Sequence, residues 1–244
     1  MTILSRLRSR LSAQASVGLY LGRAIAEISL IVIGILIAIQ LDNYNEQRQE
    51  KEIERRYIAN LIEDLRFDIE WLDAWFDRFP KKMAGLEMAR DYYHNGDPDT
   101  VDAETLLPAI GIGGAGSRGG LLPHSAVFQE LVSSGSIRLI QNDEIKSLIL
   151  DYFAYKLFTE TYATNLRSEY ASYINGSLPY SPAETLTHKD IDVSIALRRY
   201  REPGFLALIN QEATFAHTVN YTMELTVTDA NALIKALQEY LETF

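Results

Sequence analysis

From Ile28 to Ile39 the chain reads Ile-Ser-Leu-Ile-Val-Ile-Gly-Ile-Leu-Ile-Ala-Ile, without a charge and with a single hydroxyl. Widened to Ala24–Leu41, the stretch has 18 residues, about 27 Å of helix, which approaches the hydrocarbon thickness of a bilayer. The pattern predicts a transmembrane helix at 24–41, a basic tail at 1–23 and an extramembrane domain at 42–244.

Beyond the run the apolar pattern turns from continuous to periodic. Ile58, Ile62, Leu65, Ile69, Leu72, Phe76 and Phe79 follow one another at spacings of 4, 3, 4, 3, 4 and 3, an unbroken heptad seam. Tyr57, Leu61, Trp71 and Trp75 widen the stripe, which suits packing against several helices better than a thin two-stranded coil. Pro80 is expected to end this helix, because the residue before a proline avoids the helical region. A second helix is expected over Lys81–His94, stopped at Asn95-Gly96-Asp97-Pro98.

Six glycines between Gly111 and Gly120 predict a flexible loop in the least regular part of the chain. Ser125 is placed to cap a short helix over 126–133 that ends at Ser134-Gly135, and Asn142 to cap a long one reaching Tyr173. Pro179-Tyr180-Ser181-Pro182 reads as a turn, followed by a short helix near 190–201 and a last helical stretch from Pro203 to Phe244, with a bend near Thr226–Asp229. No segment alternates as a strand does. The expected fold is all-α: one N-terminal transmembrane helix continuing into a long helix that packs into an extramembrane helical bundle.

Charge adds orientation. The tail carries Arg6, Arg8, Arg10 and Arg23 and no acid, while nineteen Lys and Arg face 32 Asp and Glu beyond Leu41. A basic N-terminus resists translocation, so the tail is expected in the cytoplasm and the domain in the periplasm. Arg48, Lys51, Arg55 and Arg56 follow the span closely and pull the other way. Ile3, Leu4, Leu7 and Leu11 share a face of the tail, consistent with a basic amphipathic helix on the inner leaflet or with a frayed tail. So acidic a domain is a poor partner for nucleic acid. Ala38-Ile39-Gln40 is a poor signal-peptidase site, which favours an uncleaved signal anchor.

Candidate chemistry is sparse. Gly111, Gly113 and Gly116 match Gly-x-Gly-x-x-Gly in letters, but the fingerprint needs a strand before it and a helix after it. Ser117 grazes the nucleophile-elbow pattern without the sheet that the elbow requires. His94, His124, His188 and His217 are scattered, and the absence of cysteine excludes disulfides and thiolate ligands. Asp64, Asp68, Asp73 and Asp77 read as a solvated acidic face on which Asp68→Ala should be nearly silent. No catalytic residue, cofactor or metal is expected. Within the span, Glu27 stands one turn from Arg23, as an interfacial pair or as an inter-subunit contact. Gly34 and Ala38 form a small-xxx-small pair that lets helices approach.

Two segments carry a family resemblance. The first runs Ala26-Glu27-Ile28 through Val32-Ile33-Gly34-Ile35-Leu36-Ile37-Ala38 to Gln40-Leu41-Asp42-Asn43-Tyr44-Asn45-Glu46. The second is Phe128-Gln129-Glu130-Leu131-Val132-Ser133-Ser134-Gly135-Ser136-Ile137-Arg138-Leu139-Ile140, with Leu150-Asp151-Tyr152-Phe153 after it. Together they resemble a family of short bacterial single-pass membrane proteins catalogued as a domain of unknown function. Asp42 and Tyr44 stand where Asn and Trp are expected. The resemblance brings no activity. It implies that Glu27, Gly34, Asn43, Asn45, Glu46, Ser134 and Gly135 matter, most simply to structure.

Two functional expectations follow. One is a non-enzymatic structural or interaction protein of the bacterial inner membrane, a homo-oligomer joined through its membrane helix (Arg23, Glu27, Gly34, Ala38, Asn43, Asn45) and the Ile58–Phe79 seam. The other is a sensor-like periplasmic module that holds a ligand among Tyr152, Tyr155, Tyr162, Tyr170 and Tyr173 and signals through a membrane-protein partner.

Overall fold

The computed structural model describes residues 3–115, 125–180 and 188–244, with side chains from Glu27 onward except Thr164. The amphipathic tail face, Arg23, Gly116, Ser117, His124 and the Ser181-Pro182 turn lie outside the described side chains. Seven α-helices and one 3-10 turn make up the described residues, with no strand among them: α1 Ile3–Asn95, α2 Ala103–Gly114, α3 Ala126–Ser133, the turn Ser136–Leu139, α4 Asp143–Asn165, α5 Glu169–Ser177, α6 Asp190–Arg199 and α7 Pro203–Leu241. The fold is all-α.

Contacts divide the chain into two units, Met1–Glu54 and Arg55–Phe244. In the first, every described residue from Glu27 to Gln49 is exposed. Leu30 is 75% and Leu41 65% accessible, and water solvates such a surface poorly.

The second unit is organised by α1 and α7. The buried residues of α7 are Phe205, Ile209, Glu212, Ala216, Val219, Met223, Thr226, Ala230, Leu233 and Leu237, a heptad pattern along the whole helix. Ile58, Leu61, Ile62 and Leu65 share a core with Leu233 and Leu237, Leu72 and Trp75 with Val219 and Met223, and Leu86 and Ala89 with Phe205 and Ile209. The two helices therefore run antiparallel. At one end α4 completes the layer with Ile145, Ile149, Tyr152 and Phe153, and α3 covers it with Leu131 and a Phe128–Phe153 ring stack at 3.9 Å. At the other, α2, α5 and α6 close around Leu106, Ile110, Tyr170, Ile174, Leu197 and Tyr200.

Three expectations are corrected. α1 does not end at Pro80, which lies inside it. Pro80 is exposed and the buried stripe continues through Lys82, Leu86, Ala89 and Tyr92, so packing on both sides of the proline outweighs one lost backbone hydrogen bond. The glycine-rich segment is not a loop over Gly111–Gly114, where it forms the last turn of α2. These glycines permit close approach: a Cβ on Gly85 would strike the Ala109 carbonyl and come within 2.9 Å of Gly113 N, and one on Gly111 would strike the Tyr180 ring. The long helix from Asn142 does not reach Tyr173. It stops at Asn165, and Ser168 caps a separate α5 by accepting from Ala171 N at 2.8 Å. α7 continues through Thr226–Asp229 without a break.

The expected caps form. Ser125 Oγ accepts from Phe128 N at 3.0 Å, Asn142 Oδ1 from Glu144 N at 2.9 Å, and Gly135 takes the left-handed conformation with φ 71°. Arg201 donates to the Tyr92 and Tyr93 carbonyls at 2.9 and 2.7 Å near the C-terminus of α1.

Leu65 is fully buried between these helices, whereas Phe67 is 52% accessible. Leu65→Ala is expected to lower unfolding free energy by about 2–5 kcal/mol, and Phe67→Ala by under about 1 kcal/mol. Denaturant melts of the full chain in detergent check this. Equal losses at the two sites would mean that the seam is not the core.

Candidate functional site

Asp68–Lys156 and Lys82–Glu212 are charged pairs buried inside the helical packing of the described residues. On α1, Asp68 occupies the stripe between Leu65 and Leu72. Its carboxylate accepts from Lys156 Nζ of α4 at 2.7 and 2.9 Å and from the Tyr152 hydroxyl at 3.2 Å. Both charged side chains are 5% accessible. The expected solvated acidic face is thus wrong at Asp68. It also fails at Asp64, which is half-buried and accepts from Ser125 Oγ at 2.6 Å.

The second pair joins four helices. Lys82 of α1 donates to Glu212 Oε1 of α7 at 2.5 Å and to the Gly113 carbonyl of α2 at 2.6 Å. Lysine at a helix C-terminus also complements the helix dipole. Glu212 Oε2 accepts from Ser168 Oγ, the cap of α5, at 2.6 Å. One carboxylate thereby links α7, the end of α2 through Lys82 and the start of α5. The close passage of α2 over Gly85 brings the Gly113 carbonyl within reach of Lys82.

Burial dominates the electrostatics of both pairs. It raises the Asp68 carboxyl above its ordinary 3.8, against the hydrogen bond and charge of Lys156. It lowers the Lys82 ammonium below its ordinary 10.5, against the charge and hydrogen bond of Glu212. Tyr152 and Tyr170 are pushed up by burial in the same way. Both pairs are shielded from solvent, and they fix which faces of the helices meet. Replacing a buried pair with apolar groups is often neutral, while breaking one leaves an uncompensated charge.

The sequence-predicted candidates separate into two groups. Ile58, Ile62, Leu65 and Leu72 are buried and Ile69 and Phe76 half-buried, all facing helices of their own chain. The seam is thereby packed against helices of the same chain. Glu27, Gly34, Ala38, Asn43 and Asn45 are exposed, and nothing lies within 4 Å of a Cβ built on Gly34. The tyrosines do not converge on a ligand pocket. Tyr152 donates to Asp68, Tyr170 to the Ile110 carbonyl at 2.9 Å and Tyr173 to the Arg199 carbonyl at 3.0 Å. A shallow groove of about 500 Å³ lies elsewhere, along Glu87, Tyr92, Val101 and Leu106. Among the described residues no three His, Asp or Glu side chains gather as metal ligands.

Sequence reasoning passed over Lys82, Lys156, Ser168 and Glu212. The clearest available signal was Glu212, a charged residue in the apolar heptad of α7 between Ile209 and Ala216.

The family of unknown function DUF6090 matches residues 27–187. The chain belongs to that family. No curated protein and no solved structure matches. The matched range takes in the exposed apolar segment, Asp68, Lys82, Lys156 and Ser168, and ends before α6 and α7. Glu212 therefore lies outside the matched residues of this DUF6090 member.

Asp68→Ala is expected to cost about 3–5 kcal/mol by leaving Lys156 unpaired, while the triple replacement Asp68→Leu, Tyr152→Phe, Lys156→Met restores most of it. Chemical denaturation of the three proteins checks this; an Asp68→Ala loss under about 1 kcal/mol would contradict it. pH supplies a second test. Because the folded state raises the Asp68 carboxyl above 3.8, its contribution favours folding below that value and is lost as pH rises through the folded value. The Tm of wild type minus that of Asp68→Asn should therefore be larger near pH 4 than near pH 7. A difference that widens toward neutrality would reverse the assignment.

Proposed function

We propose that the protein is a non-enzymatic, membrane-anchored structural or interaction protein of the bacterial inner membrane. The observation that carries this reading is the exposed apolar surface of Ile28–Leu41, on a helix long and apolar enough to cross a membrane. A single such helix is also what a signal sequence presents, but here it belongs to α1, whose later residues form part of the core of the second unit. Cleavage after the apolar run would separate that helix from its own N-terminal half. The acid-free tail orients the N-terminus to the cytoplasm and the bundle to the periplasm.

With the Ile58–Phe79 seam occupied inside one copy, self-association falls to the membrane helix, where Gly34 leaves room for a neighbouring backbone. The interior of the second unit holds two charged pairs engaged with protein groups, an arrangement suited to fixing a shape. The sensor-like alternative rests on the groove beside Glu87 and Tyr92, and a ligand that protects those residues would favour it.

Expressed in a bacterium, the chain should resist alkaline carbonate extraction, run at its uncleaved mass and elute in mild detergent as a defined oligomer. A reporter after Phe244 should be active only as a periplasmic enzyme. Release by carbonate would remove the anchor, a cytoplasm-only reporter signal would invert the orientation, and a monomer would remove self-association.

A further inference from the structure

In the second unit α1 and α2 meet at Gly85 and Gly113 and are joined by the turn at 96–102. Further along the two helices a shallow groove of about 500 Å³ opens between them. Its floor is apolar. Tyr92 and Leu106 are buried in the core beneath it, Val101 is half-buried, and Met88 is 39% accessible. Its rim is acidic on both helices: Glu87 and Asp91, one turn apart on α1, and Asp102, the cap of α2, are all exposed. None of the residues that line it is basic. Arginines at this end of the unit are engaged elsewhere. Arg90 donates to Asn210 at 2.8 Å, Arg198 pairs with Asp99 at 3.6 Å, and Arg201 donates to the carbonyls of Tyr92 and Tyr93.

Resting on the interaction-protein reading, we infer that this groove docks a basic, amphipathic segment of a partner protein, with an apolar side chain on Met88, Val101 and Leu106 and arginine or lysine heads at Glu87, Asp91 and Asp102. The chemistry follows from the arrangement of floor and rim. A bare metal ion needs carboxylates that converge, and among the described residues no three His, Asp or Glu side chains gather in that way. Here the carboxylates are divided between two helices around an apolar floor. A cation that carries its own apolar stem matches the pattern, as lysine and arginine do, and arginine adds paired donors suited to a carboxylate. The rim is held in place. Asp91 accepts from Asn95 at 2.7 Å, and Asp102 accepts from Glu104 N at 3.1 Å and from Thr105 Oγ1 at 2.6 Å. A carboxylate offers about four acceptor sites, so these bonds orient the groups and leave capacity for an incoming cation. From Glu87 to Asn95 the groove follows about 12 Å of α1, room for two turns of a partner helix. Beyond Leu41 the chain has 19 Lys and Arg against 32 Asp and Glu, and such a field draws basic partners toward it. The groove adds the apolar contact that long-range attraction lacks.

The test uses the full chain in phosphatidylcholine nanodiscs and a short dye-labelled peptide of alternating leucine and arginine, with binding to empty nanodiscs subtracted. Fluorescence anisotropy should show saturable binding that weakens steeply toward about 1 M salt. The triple variant Glu87→Gln, Asp91→Asn, Asp102→Asn should weaken it by about tenfold, the sum of several modest surface ion pairs. Asparagine also caps helices, so α2 should keep its start in that variant. Removing the same number of acids from α4, as Asp143→Asn, Glu144→Gln, Asp151→Asn, should change affinity by less than about twofold. A peptide with serine in place of leucine should bind far more weakly, and one with glutamate in place of arginine should not bind. An equal loss in the α4 variant would reduce the effect to diffuse attraction and overturn the inference. Free spermidine competing as well as the peptide would overturn it too, in favour of a small cation and the sensor-like alternative. No peptide binding by a chain still seated in the nanodisc would overturn the inference and leave the anchored reading standing. A chain that leaves the nanodisc yet binds the peptide in a rim-dependent way would overturn the anchor and leave the inference standing.

Discussion

The antiparallel contact between α1 and α7 is the constraint on which the second unit depends. α1 alone has no partner for a stripe that runs from Ile58 to Tyr92, and α7 alone has none for one that runs from Phe205 to Leu237. Laid against each other, they set the register for everything else: Lys82 meets Glu212, Phe79 meets His217 with ring centroids 5.6 Å apart, and Arg90 meets Asn210 at 2.8 Å. α3 and α4 then fill one end and α2, α5 and α6 the other. A mismatch of one heptad would oppose Lys82 to apolar residues of α7 in place of Glu212, so this buried charge penalises such a slip.

Much of this was legible from spacing alone. The 4-3 recurrence from Ile58 to Phe79 marked the buried side of α1, and Ser125, Asn142 and Gly135 act at helix ends as their side chains or backbone freedom suggest. What escaped was whatever depended on a distant partner. Pro80 looks like a terminator in sequence, yet the stripe resumes beyond it because α7 packs on both sides. Gly111, Gly113 and Gly114 look like a loop until Gly85 and Tyr180 press against them. Asp68 looks solvated until Lys156, 88 residues later, is placed beside it. Local propensity weighs about a kilocalorie per residue, and tertiary packing outweighs it at each of these places.

The candidate site illustrates the same limit. Charged residues in or beside an apolar stripe can be seen in sequence, but which acid meets which base depends on topology. Lys82 and Glu212 are 130 residues apart, and only the antiparallel α1–α7 pairing brings them together. The family match ends before α7, so Lys82 lies within the matched residues and Glu212 outside them. The exposed face of the first unit is a different case. Its residues are exposed and apolar along one helix that is long and apolar enough to cross a membrane, and under the proposed anchor a bilayer would cover them.

Under the proposed anchor, Ile28–Leu41 lie inside lipid while the same helix carries on into water. The chain has no cysteine, so single nitroxide labels can be placed one at a time from residue 28 to residue 56. In vesicles, accessibility to molecular oxygen should exceed that to a water-soluble nickel complex throughout 28–41 and reverse beyond Tyr44, with a helical period near 3.6 residues unbroken across the change. High nickel accessibility within 28–41, or loss of the helical period between Leu41 and Arg56, would contradict it.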